Sequence, residues 1–116
     1  MTKFDYEKLR VYGAALDANE QLWELLKRLR TYGSLERQAE RAAESIVLNI
    51  AEGAGEFSGP EKARFYRIAL RLVSETAAAL DLIARKHPDA GVSAVEIKQK
   101  LSGIAAMLVI LTRNVR

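Results

Sequence analysis

Arginines at positions 64, 67 and 71 stand three and four residues apart, which places three guanidinium groups on one face of a helix. Such a row can neutralise successive phosphates of a nucleic acid. It would touch the backbone and not the base edges, because a repeated arginine carries no base pattern of its own. The same row also suits a plain solvated face, and Glu75 is placed to pair with Arg71 across one turn.

Little else in the 116 residues offers chemistry. Cysteine is absent, which removes disulfides, thiolate nucleophiles and cysteine metal sites. The single histidine, His87, rules out two-histidine metal motifs and most triad chemistry, and its place near a helix C-terminus suits the helix dipole better than a metal. Glu52, Glu61 and Glu75 flank a glycine-rich stretch, with no histidine or cysteine partner beside them. Gly53-Ala54-Gly55 follows a predicted helix and not a strand, so it is no phosphate-cradling loop. The expectation is a protein without catalytic residues, metal or cofactor.

A second constellation is polar. Gln38, Arg41, Ser45, Asn49 and Glu52 repeat at spacings of three and four, so they line one narrow helix face. Serine and asparagine are poor in mid-helix unless their side chains find partners. The row is either a solvated face or, with Glu75, a hydrogen-bonded network at a helix or subunit interface that fixes register.

The elements that carry these residues read as four helices in a single domain, at about 5–30, 34–54, 60–87 and 93–114. The first is drawn from Leu9, Tyr12, Leu16, Trp23 and Leu26, and Tyr32-Gly33 ends it. Ser34 is the expected N-cap of the second, whose core stripe is Leu35, Ala39, Ala42, Ala43, Ile46, Ile50 and Ala54. Gly53 to Gly59 reads as a loop, since three glycines in seven residues weaken a helix. Ser58, Pro60 and Glu61 signal the third start, with Phe65, Ile68, Ala69, Leu72, Val73, Thr76, Leu80 and Ile83 as core. Pro88 stops it, and Ser93 with Glu96 forms a second capping box ahead of Ile97, Leu101, Ile104, Ala105, Leu108 and Leu111. Short connections make this an all-α, antiparallel up-down-up-down four-helix bundle. With 49% apolar residues the chain can build a core, while no run is long enough for a membrane helix and no signal-peptide pattern opens it. A cytoplasmic protein without membrane contact is expected.

Some apolar residues exceed the needs of one core. Those of the first helix cover an arc of about 200°, against somewhat over 100° for a helix at a monomer surface. Leu48 points away from the second core stripe, and Met107 and Ile110 from the fourth. Self-association is the expected use of Leu48, Met107 and Ile110. Charge is uneven as well: the formal net charge is +3, with the predicted third and fourth helices basic and the second acidic.

The second helix also carries a resemblance. Gln38-Ala39-Glu40-Arg41-Ala42-Ala43-Glu44-Ser45-Ile46, followed by Asn49-Ile50-Ala51-Glu52-Gly53-Ala54-Gly55, resembles the signature of bacterial proteins encoded by intervening sequences of 23S ribosomal RNA genes. Leu9, Val11, Tyr12 and Ala15 are similar to that family's first helix, and Arg64, Phe65, Ile68, Ala69 and Glu75 to its third. The family shares its fold with the accessory variability determinant of diversity-generating retroelements. The resemblance implies an antiparallel four-helix bundle assembled as a homopentamer. For the retroelement proteins it also implies binding of RNA or DNA and of a reverse transcriptase. Two functions stand open: a scaffold that grips nucleic acid or its enzyme through basic faces, and a self-assembling protein-interaction module with no nucleic-acid role.

Overall fold

The computed structural model describes residues 4–115. A 3-10 turn at Asp5–Lys8 leads into α1 (Arg10–Lys27), α2 (Ser34–Gly55) and α3 (Gly59–Lys86), then a 3-10 turn at Pro88–Ala90 and α4 (Gly91–Asn114). No strand occurs among the described residues. Successive helices pack side by side and α4 closes onto α1, so α1 stands diagonally across from α3. The chain is an antiparallel up-down-up-down four-helix bundle.

α2 and α3 share the most extensive packing, and small residues are the reason. Ala39, Ala42, Ala43 and Ala54 are buried on α2 with Ile46 and Ile50, as their periodicity predicts. Gly53 lies at the tightest point. A β-carbon there would come within 2.6 Å of the Tyr66 ring and 3.2 Å of the Phe65 Cβ. The ring of Tyr66 is itself buried, so the glycine is what lets it pack this closely against α2. α4 brings Ile97, Leu101, Ile104 and Leu108 to the centre.

α1 departs from expectation. The predicted helix over 5–30 is a 3-10 turn, an extended residue at Leu9 and a helix that stops at Lys27. Its phase also differs: Val11, Ala15, Ala18, Leu22, Leu25 and Leu26 are buried, while Leu16 and Trp23 are 45% and 42% exposed. With so broad an apolar arc, two overlapping stripes were available. The one with small alanines won, because it lets α1 approach its neighbours closely.

The helix ends differ in detail too. α2 runs on through Gly55, so the predicted loop from Gly53 shrinks to residues 56–58. The Lys62 ammonium sits 2.9 Å from the Ala54 carbonyl, covering the helix end with positive charge. Ser58 caps α3 as predicted, accepting from the Glu61 N–H at 3.2 Å, but the Glu61 side chain turns to Arg64. The second capping box does not form. α4 starts earlier, at Gly91, and Ser93 Oγ instead accepts from Arg28 at 2.8 Å.

Candidate functional site

The arginine row lies on the outer side of α3, where Arg64, Arg67 and Arg71 are all exposed. Arg64 is partly engaged: its Nε donates to Glu61 at 2.8 Å, and its guanidinium lies 4.4 Å from the centroid of the Phe65 ring. The hydrogen bond to Glu61 holds the Arg64 pKa above its ordinary value. Among the described residues, no carboxylate lies within 4 Å of Arg67 or Arg71, and the Arg71–Glu75 pair suggested by spacing is absent.

The polar seam splits into two places. Gln38, Arg41, Ser45 and Glu75 line one groove between α2 and α3, together with Ser34, Arg37 and Leu72. Leu72, expected in the core, is a half-buried wall of that groove. Asn49 donates to the backbone carbonyl of Ser45 at 2.8 Å, which satisfies it within its own helix. Glu52 lies apart, beside Leu48, Phe4 and Tyr6 in a hollow at the other end. A groove with polar walls is thus present, and no hydrogen bond between side chains of the seam joins it into a network among the described residues.

The outward apolar residues divide as well. Leu48 and Ile110 are 63% and 57% exposed, whereas Met107 is half-buried and packs against the core. Met107 therefore turns further inward than expected. α4 adds Val92, Val95, Ser102, Gly103 and Ala106 to the exposed face that holds Ile110. Glu96 and Gln99 share that face at its start, and from Ser102 to Ile110 its exposed residues carry no charge.

Sequence reasoning missed the most elaborate polar cluster. Glu36, with no exposed surface, sits in the first turn of α2 and accepts from the Gly33 N–H at 2.7 Å. Its carboxylate also meets Lys86 Nζ at 3.2 Å and His87 Nε2 at 3.3 Å, both at the end of α3. Burial pushes the carboxyl up. Bonds from the Gly33 and Glu36 backbone, Lys86 and His87 outweigh that and lower it to about 2. Gly33, not Ser34, is the N-cap, and the spacing Gly33 to Glu36 was the available signal. The cluster clamps two helix ends.

Other chemistry is sparse. Among the described residues no group of three or more histidine or carboxylate side chains is placed to hold a metal ion, and no helix is long and apolar enough to cross a membrane. A groove between α1 and α4 is lined by Asp17, Glu20, Glu24 and Glu96 against Arg28 and Lys100. Asp17 and Lys100 stand 3.9 Å apart across it.

Comparison with known proteins follows the fold. A solved structure from Bacteroides thetaiotaomicron, described as a protein with unknown function from the S23 ribosomal protein family, superposes with a TM-score of 0.81. It is 21% identical and covers 89% of this chain and 98% of its own. No curated protein matches. The family model described as 23S rRNA-intervening sequence protein matches residues 7–109, the span that contains all four helix cores and the Asn-Ile-Ala-Glu-Gly segment packed on Tyr66. The chain therefore belongs to the 23S rRNA-intervening sequence protein family.

Proposed function

We propose that this protein is a non-enzymatic, self-assembling helical scaffold whose subunits join through the faces the bundle leaves uncovered. The observation that carries this reading is the outer side of α4. Past Glu96 and Gln99 it exposes Ser102, Gly103, Ala106 and Ile110 without one charge. A solvated helix face normally mixes charges of both signs, and a continuous uncharged one marks a contact. Leu48 on α2 and Leu16 and Trp23 on α1 add apolar area elsewhere on the surface. A homopentamer is the count that the family resemblance implies.

Light scattering and sedimentation at micromolar protein test this. The expected mass is a multiple of 12.9 kDa, and a mass near the single-chain value would sink the reading. Ile110→Glu and Leu48→Glu should lower the mass, because a charge at an apolar contact is left desolvated. Asp89→Lys, on an exposed turn, should leave it unchanged. Roles in binding RNA, DNA or a reverse transcriptase would draw on Arg67 and Arg71, the row's two members with no carboxylate within 4 Å among the described residues. Titration of fluorescent RNA at low salt reads such a role directly.

A further inference from the structure

α1 carries an acidic counterpart of the arginine row. Asp17, Glu20 and Glu24 are exposed on the outer side of α1 at the same three- and four-residue steps as Arg64, Arg67 and Arg71 on α3. Each row covers seven residue steps, about 10 Å of helix at 1.5 Å per step. Laid parallel, the rows match charge for charge.

Within one subunit they cannot meet, since α1 and α3 occupy diagonal corners of the bundle and both rows point outward. We propose that the Asp17, Glu20 and Glu24 row of one subunit docks against the Arg64, Arg67 and Arg71 row of a second copy, head to tail. This rests on the self-assembly reading and names its surfaces and its symmetry. Contact between two different faces is heterologous, so each subunit keeps one free half for the next. The assembly then closes as a ring or grows as a filament. A two-fold pairing of like rows would set acid against acid or arginine against arginine, which like charge opposes.

The rows are available for this exchange. Glu20, Arg67 and Arg71 have no ion pair within 4 Å among the described residues. Asp17 at 3.9 Å from Lys100, Glu24 at 3.3 Å from Lys27 and Arg64 at 2.8 Å from Glu61 are exposed pairs. Such pairs contribute little and exchange readily for partners in a contact that excludes water. Leu16 and Trp23 are exposed apolar residues beside the acids, and Leu82 is exposed on α3 about 16 Å beyond Arg71. The apolar contacts supply attraction and the charges fix register.

Charge reversal decides it, read by light scattering with far-UV circular dichroism as the check on folding. Glu20→Arg/Glu24→Arg and Arg67→Glu/Arg71→Glu should each reduce the assembly to single subunits. The chain carrying all four changes should assemble again, because both rows are inverted together. Mixing the two singly reversed proteins should also restore association. Should a reversed protein fail to fold, Glu20→Gln/Glu24→Gln and Arg67→Gln/Arg71→Gln should each still lower the mass. Native mass in either reversed protein, or no recovery in the fourfold variant, overturns the docking while leaving self-assembly standing. So does RNA retention that Arg67→Glu/Arg71→Glu abolishes with the mass unchanged. A native chain of single-subunit mass would instead remove the self-assembly reading itself.

Discussion

The carboxylate of Glu36 and the imidazole of His87 meet at 3.3 Å although 51 residues separate them. The contact ties the first turn of α2 to the end of α3, and the acid is the only fully buried carboxylate among the described residues. Because its folded pKa, about 2, is below the ordinary 4.5, the folded state binds the proton less readily than the unfolded chain. Its stabilisation is complete above pH 4.5 and is lost as pH falls toward 2. The expected loss is on the order of 2–3 kcal/mol. Urea denaturation across that window measures it. Glu36→Gln should lower stability at neutral pH and flatten the acid dependence; an unchanged acid slope in that variant would assign the slope to other groups.

Gly53 and Gly55 should respond oppositely to alanine. At Gly53 the new methyl meets the buried Tyr66 ring at 2.6–2.8 Å, so Gly53→Ala is expected to cost about 1–3 kcal/mol despite better helix propensity. At Gly55 nothing lies within 4 Å. Gly55→Ala should be neutral or stabilise by up to about 1 kcal/mol. Melting temperatures of the two variants side by side check the pair.

Asn19 places its Oδ1 in the core with no hydrogen-bond partner. Beside it is a void of about 10 Å³ bordered by Ala15, Leu22, Ala43, Thr76 and Leu101. Removing a buried polar atom that has no partner relieves its desolvation, so Asn19→Leu should raise stability by about 1 kcal/mol or more. A fall in the denaturation midpoint would show that the amide is serving a partner the leucine cannot replace.

Lys62 lays its ammonium over the end of α2, donating to the carbonyls of Gly53 and Ala54 at 3.4 and 2.9 Å. Lys62→Met keeps the stem and removes the charge. The expected cost is about 0.5–1 kcal/mol, diminished by salt in the native chain but not in the variant.

The bundle was legible wherever one helix face alone was apolar. On α2, with charges on every other face, the stripe from Ala39 to Ala54 could fall only one way, and it is buried. α1 offered Leu16 and Trp23 on one side and Ala15 and Ala18 on another, and the choice between them depends on neighbours that a local pattern does not contain. Glu36 stayed hidden for a related reason. An acid looks solvated until Lys86 and His87 are brought to it by the turn of a whole hairpin. The arginine row was visible as spacing. Its surroundings came only with the fold, which showed Arg64 paired with Glu61 and an acidic row of equal step at the diagonal corner.

The three residues that join α2 to α3, at 56–58, also bear on how the chain folds as it is made. Closing so short a loop costs little chain entropy, and the pair it joins has the most extensive packing in the molecule. The fold therefore predicts that this hairpin is the nucleus. A chain released from the ribosome only as far as residue 87 would already hold the Glu36 clamp and the Gly53–Tyr66 contact. α1, though synthesised first, has its second neighbour only when α4 emerges, so its docking belongs to the last step of folding and not the first.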